Sequence, residues 1–254
     1  MNDLREQFLE RLMRELFRHD SGFILKGGGA IRALYGEQRL TKDVDLDFPN
    51  PRRTADSLHR MLDAAIAAAS RGLPLRDLRV HQPGKGEKSP RWKINFRAPD
   101  DTLVHVEIEV SRDAKRAPPG HVMQVAFLPR AAKGVPRFFV AVYDGPTLIA
   151  TKIAALLGRE VPRDVYDLDL LHAQHPSPSR EQITWAVERA GVMPAEARAT
   201  LWQHLDALTW SRFETELLGA LSGEAAARWD ENAWTAMKLD VGEYVDALLA
   251  GALA

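Results

Sequence analysis

The chain has no cysteine, which excludes disulfides, thiolate metal sites and thiol-based catalysis together. No apolar run approaches the ~20 residues that a membrane span needs, and the first residues are charged, so neither a signal peptide nor a membrane anchor is expected. The expectation is a cytoplasmic protein. An excess of one charge is also lacking: 34 Lys and Arg stand against 35 Asp and Glu, a formal net charge of -1 that neither favours nor excludes a nucleic-acid partner. The charge does segregate along the chain. Residues 112–137 carry Arg112, Lys115, Arg116, Arg130, Lys133 and Arg137 with Asp113 as the one acid, whereas from Ala195 onward there are ten acids and four bases. With 254 residues, 45% of them hydrophobic, the chain can bury one large core or two modest ones.

What is present concentrates in Phe23 to Phe48, FILKGGGAIRALYGEQRLTKDVDLDF. Phe23-Ile24-Leu25 reads as a short buried strand stopped by Lys26 and by Gly27, Gly28 and Gly29, which suit a tight turn close to something bulky. Ala30 to Tyr35 has helical apolar spacing, so the turn feeds a helix start, where backbone N–H groups and the dipole favour a phosphate. Asp43-Val44-Asp45-Leu46-Asp47-Phe48 then alternates acid and apolar with the period of a strand, placing the three aspartates on one face. Same-face carboxylates repel unless a cation lies between them, and oxygen-only ligands favour a hard ion such as Mg2+ completed by substrate phosphates. A phosphate cradle followed by a metal-holding strand is a grip for a nucleoside triphosphate. Taken apart, the same pieces are a surface turn and a wet strand face.

The Gly-Gly turn, short helix and Asp-x-Asp strand resemble the first motif of the nucleotidyltransferase superfamily that includes DNA polymerase beta. The fuller wording, Leu25 to Ile31, then Arg39, Thr41 and Asp43-Val44-Asp45-Leu46, is similar to the AbiEii/AbiGii branch, toxins of type IV toxin-antitoxin and phage-defence systems. Gly29 stands where many members of that branch have Thr or Ser. The resemblance implies an α+β fold, a polymerase-beta-like core of mixed sheet and helices over residues 1–142, followed by a helical domain over 143–254 that contributes Lys152 and Asp167 to the site. It also implies NTP as substrate, Mg2+ as cofactor, an RNA acceptor such as the tRNA 3′ end, and a cognate antitoxin encoded nearby. Thr41, a hydroxyl two residues before Asp43, is implied as a nucleotide acceptor in an inhibited state.

The remaining sequence supplies further pieces. Leu4 to Phe17 carries a helical stripe, and Thr54 is an N-cap for a helix to about Ser70. Leu78 to Val80 and Trp92 to Phe96 read as strands, the second with Arg91, Lys93, Asn95 and Arg97 on one face, which can follow nucleic-acid phosphates or merely face water. Leu103 to Ser111 is a strand that puts His105, Glu107 and Glu109 on one face. If it lies beside the aspartate strand, Glu107 or Glu109 becomes a third carboxylate, and the spacing does not choose between them. Strands are expected at Val122 to Leu128 and Phe138 to Val142, then a helix over Thr147 to Leu157 with Asp144 as N-cap and Pro146 in its first turn. Lys152 sits in its apolar run. From Pro162 a helix carries Arg163 and Asp167 four apart, able to pair, with Asp164 on nearly the same face. Lys152, Arg163-Asp164 and Asp167 are similar to the second half of the AbiEii pattern, so that Asp167, or Asp164, is implied to orient the lysine or contact the sugar. Ser179 and Gln182 form a capping pair before a helix at 183–190, and further helices are expected at 195–208, 212–221, 225–236 and 241–249. The five tryptophans there, Trp185, Trp202, Trp210, Trp229 and Trp234, read as inter-helix packing. Two other functions fit the same residues: an adenylyltransferase acting on a small-molecule or protein hydroxyl, and a non-catalytic nucleotide-binding module.

Overall fold

The computed structural model describes residues 2–18, 22–36, 43–49, 54–84, 89–113, 117–174, 177–221 and 223–253. The chain divides into two compact units, residues 1–117 with 122–142, and residues 118–121 with 143–254.

The first unit is built on a mixed seven-stranded sheet of order β3-β4-β5-β2-β1-β7-β6. In chain order its elements are α1 (Asn2–Leu16), β1 (Ile24–Leu25), α2 (Gly27–Tyr35), β2 (Asp43–Asp47), α3 (Ala55–Ser70), β3 (Arg76–His81), β4 (Arg91–Arg97), β5 (Leu103–Ser111), β6 (Val122–Phe127) and β7 (Phe138–Tyr143). Alternation decides which face of β4 and β5 is covered: Trp92, Ile94, Phe96, Val104, Val106, Ile108 and Val110 are buried, whereas Arg91, Lys93 and His105 are exposed. The stripe of α1, with Phe8, Leu9, Leu12 and Leu16, and that of α3, with Leu58, Leu62 and Ile66, supply the other side of that core. The Phe8 ring meets Phe96 at 5.4 Å and His59 meets Trp92 at 5.0 Å between centroids. Thr54 caps α3 by accepting from the Ser57 N–H. Truncating Phe8 in such a core costs about 3–5 kcal/mol.

Two local expectations shift. Helix α2 begins at Gly27 rather than Ala30, so the glycines are its first turn and not a loop ahead of it. Strand β3 spans six residues rather than three; all are exposed, and a register shift between Arg76 and Arg79, with Asp77 at φ 53°, bulges this edge strand.

The second unit is helical: α4 (Gly145–Gly158), α5 (Pro162–His172), α6 (Arg180–Ala190), α7 (Ala197–Ala207), α8 (Trp210–Glu216), α9 (Gly223–Ala226) and α10 (Glu231–Leu253). Asp144 caps α4 through the Thr147 N–H, and Ser179 with Gln182 closes a reciprocal capping box on α6. Phe213 gathers Trp210, Trp229 and Trp234 within 5.3 Å of its ring centroid. The chain beyond 231 is one helix, where the sequence pattern suggests two with a gap at 237–240. Gly242 does not break it, because a Cβ there would lie 2.7 Å from the Trp202 ring: the glycine admits a neighbouring helix instead of ending its own. Among the described residues no helix is long and apolar enough to cross a membrane.

Candidate active site

In the first unit, the parallel pairing of β2 with β5 sets Asp43 beside Glu107 and Asp45 beside Glu109. Paired residues share a face, so four carboxylates occupy two adjacent rungs of the sheet. The register does not select one glutamate; it provides one for each aspartate. Exposure falls along β2, with Asp43 exposed, Asp45 half-buried and Asp47 buried. Asp47 is held by Lys26, whose Nζ lies 2.8 Å from its carboxylate.

The glycine turn closes on this strand. The Lys26 N–H donates to the Asp45 carbonyl at 2.8 Å, and Gly27, at φ 57°, faces the Asp45 carboxylate so closely that a Cβ there would lie 2.8 Å from Oδ2. Any side chain at 27 would be both strained in backbone and driven into Asp45. A buried network anchors α2 behind its first turn. Arg32 pairs with Glu6 and Glu10 of α1 and lies over the Phe127 ring at 5.1 Å. Glu10 also accepts from the backbone N–H groups of Arg130, Ala131 and Ala132 at 2.7–2.9 Å. Burial, and then the charge of Arg130, lowers the Arg32 pKa to about 10.

As donors, Asp43 and Asp45 fit a hard divalent cation: both offer only oxygen, and Asp45 sits against the start of α2. Among the described residues no three carboxylate or histidine groups converge closely enough to hold a metal by themselves. Arg91 of β4 lies 2.7 Å from Glu109 and 3.5 Å from Glu107, a single positive charge shared by two carboxylates. The platform is therefore two aspartates with two glutamates beside them whose charge Arg91 offsets only in part.

In the second unit, Lys152 of α4 is buried between two fully buried carboxylates of α5, 3.0 Å from Asp164 and 2.6 Å from Asp167. Arg159 forks onto Asp164 from the outer side, at 2.9 and 3.2 Å. Burial pushes the Asp164 carboxyl up, but Lys152 and Arg159 outweigh it and hold it below the ordinary carboxylate range. Burial likewise pulls Lys152 down, and Asp167 with Asp164 overcomes that and keeps its pKa above the usual lysine value. Lys152 therefore carries its charge at neutral pH despite the apolar run around it.

Comparison with known proteins places this arrangement. The family described as nucleotidyl transferase AbiEii toxin, type IV TA system, matches residues 7–250. The chain belongs to the AbiEii nucleotidyltransferase toxin family. No curated protein matches it. Among solved structures, MenT4, a nucleotidyltransferase toxin from Mycobacterium tuberculosis, aligns with TM-score 0.60 and 19% identity over 98% of this chain and 92% of its own. JHP933 from Helicobacter pylori aligns with TM-score 0.56 and 15% identity over 97% of this chain and 92% of its own. At such identities these likenesses speak for the fold, which is the expected α+β architecture with a C-terminal helical region.

For this AbiEii chain, then, the enzyme class is nucleotidyl transfer. The sequence points to Gly27, Asp43, Asp45, Glu107 and Glu109, and the sheet brings these together; it likewise points to Lys152, Asp164 and Asp167, and the two helices bring those together. Arg163 does not pair with Asp167: it is exposed, and Arg159 is the arginine of this cluster, on Asp164. Lys26 is engaged with Asp47. Thr41 and Arg39 lie outside the described residues. At Gly29 a Cβ would stand 3.0 Å from Leu25 Cδ1, so a side chain there would press on the β1 leucine. Arg91, Glu10 and Arg32 support the site and escape sequence reasoning. Arg91 is visible there only as part of a basic strand face, and nothing in the spacing of Glu10 and Arg32 signals that they meet.

Proposed function

We propose that the protein is a Mg2+-dependent nucleotidyltransferase toxin that transfers NMP from an NTP to an RNA acceptor, the tRNA 3′ end, and so blocks translation. The observation that carries this reading is the approach of Gly27 to Asp45 beside the Asp43–Glu107 rung, a helix start and a carboxylate platform within contact of each other. Gly27, Gly28 and Gly29 cradle the terminal phosphates through backbone N–H groups, with Lys26 beside them. Asp43 and Asp45, with Glu107 or Glu109, would hold Mg2+, and the ion would neutralise charge on the α-phosphate and favour the deprotonated form of the acceptor hydroxyl. The acceptor oxygen bonds to the α-phosphorus as the bond to the bridging oxygen breaks; pyrophosphate leaves and the hydroxyl proton passes to solvent. Positioning and electrostatics supply most of the acceleration. Within the second unit, Asp164 and Asp167 hold the Lys152 ammonium, and Arg163 is an exposed cation available to a nucleotide.

The setting that fits is the cytoplasm, where NTP, Mg2+ and tRNA occur together, with an antitoxin encoded nearby and a role in phage defence. The test is incubation of the protein with Mg2+, each labelled NTP in turn and total tRNA. Label in the RNA, lost in Asp43→Ala, is expected. No label on any RNA from any of the four NTPs would remove the RNA reading, and label on an aminoglycoside or a protein hydroxyl would replace it.

A further inference from the structure

Two rows of side chains cross the polar face of the sheet in the first unit. His81, Lys93, Glu107 and Asp43 lie side by side across β3, β4, β5 and β2, and Arg79, Asn95 and His105 form the next row. At about 4.8 Å between strands, His81 stands roughly 14 Å from Asp43. A pocket of about 500 Å3 opens on the β4, β5 and β2 part of these rows, lined by Arg5, Lys93, Asn95 and His105 in addition to Asp43 and Glu107, with Arg79 and His81 on the strand beyond it. That volume is in the range of pockets that hold a small organic ligand. Its character changes along its length, carboxylate at β2 and basic or amide beyond. The acids at the far end of these strands, Asp77 and Asp101, pair with Arg97, and Asp101 also meets Arg76, so they do not cancel the charge of Lys93 and Arg79.

His105 adds a directional feature. Its Nδ1 is hydrogen-bonded to Asn95 Oδ1. The amide oxygen only accepts, so Nδ1 donates to it and Nε2 is the ring nitrogen left to face a ligand hydroxyl.

We infer that this strip is the acceptor site: it takes the single-stranded 3′ end of an RNA, with Arg5, Lys93 and Arg79 on its phosphates and His105 Nε2 accepting from a ribose hydroxyl near the terminus. The inference rests on the nucleotidyltransferase reading above and adds to it the surface and the group that recognises ribose. A 2′-hydroxyl is what distinguishes RNA from DNA at such a position, and the exposed basic strands β3 and β4 supply the salt-dependent part of the affinity.

The test uses the full chain and a fluorescent RNA hairpin with a short single-stranded 3′ tail, alongside the same hairpin ending in a 2′-deoxynucleotide. Arg79→Glu with Lys93→Glu should raise the hairpin Kd and its KM as acceptor about tenfold or more. The slope of log K against log salt should become shallower by about one per phosphate contact removed. His105→Ala should bring transfer to the two hairpins closer together, where the parent protein prefers the ribose end. Both changes lie on exposed strand positions, and circular dichroism with the milder Lys93→Gln controls for folding. If Kd, acceptor KM and ribose preference are all unchanged while Asp43→Ala still abolishes transfer, the acceptor lies elsewhere and the catalytic reading stands. If the parent protein labels no RNA with any NTP, the RNA reading fails and this inference with it, while transfer to another acceptor stays open.

Discussion

Replacing Lys152 with Met tests whether the buried cluster of α4 and α5 stabilises the second unit. The substitution keeps an unbranched side chain one atom shorter and removes the charge that lies 3.0 Å from Asp164 and 2.6 Å from Asp167. Removing one partner of a buried ion pair costs about 3–5 kcal/mol, because the charge left behind is desolvated and uncompensated. Arg159 still reaches Asp164, so the lower half of that range is expected. For a chain of this size that corresponds to a fall in Tm on the order of 10 °C.

The pH dependence gives the cause its own signature. Asp164 has a folded pKa below the unfolded value of about 3.9, so its contribution is present above that value and is lost as pH falls through the folded pKa. Lys152 has a folded pKa raised above about 10.4, so its contribution is complete below that value and is lost only as pH rises through the folded pKa. Both terms are intact at neutral pH. The difference between parent and Lys152→Met should therefore be widest at neutral pH and above and shrink steadily as pH falls, because burial favours the neutral form of the stranded carboxylates once the ammonium is gone and they take up protons above their ordinary range. Urea unfolding across that range measures it. Adding Asp164→Asn and Asp167→Asn to Lys152→Met should recover much of the stability, by removing the stranded charges. A Lys152→Met protein as stable as the parent at pH 7, or a gap that does not depend on pH, would refute the argument.

Gly27→Ala should cost about 1 kcal/mol in unfolding free energy, from a positive φ that alanine adopts poorly, yet abolish most transfer, because the added carbon displaces Asp45 Oδ2; steady-state kinetics beside thermal melts separate the two effects. Glu10→Gln should destabilise the first unit by about 2–4 kcal/mol, since it removes the charge opposite Arg32 and turns an amide N–H2 toward backbone donors, and chemical denaturation reads this directly.

Local physics makes much of this molecule legible in advance. Thr54, Asp144 and the Ser179–Gln182 box depend on residues three apart, and each caps the helix expected of it. The alternation of β5 settles which side chains face the core before any partner strand is known. The aspartates of β2 and the glutamates of β5 are each readable as one face of a strand for the same reason. Their alignment is not readable, because Asp43 and Glu107 are separated by 64 positions and only the parallel register of two strands makes them neighbours. The same holds for Arg91 between the glutamates, for Glu10 holding Arg32 and the backbone of 130–132, and for Gly27 against Asp45. Residue type and short-range period determine which groups a segment can present and on which side. Which charge meets which, and hence whether a carboxylate is a ligand, a counter-ion or a cap, is decided by long-range packing, because Coulomb energy and desolvation depend on distances that exist only once the chain has folded.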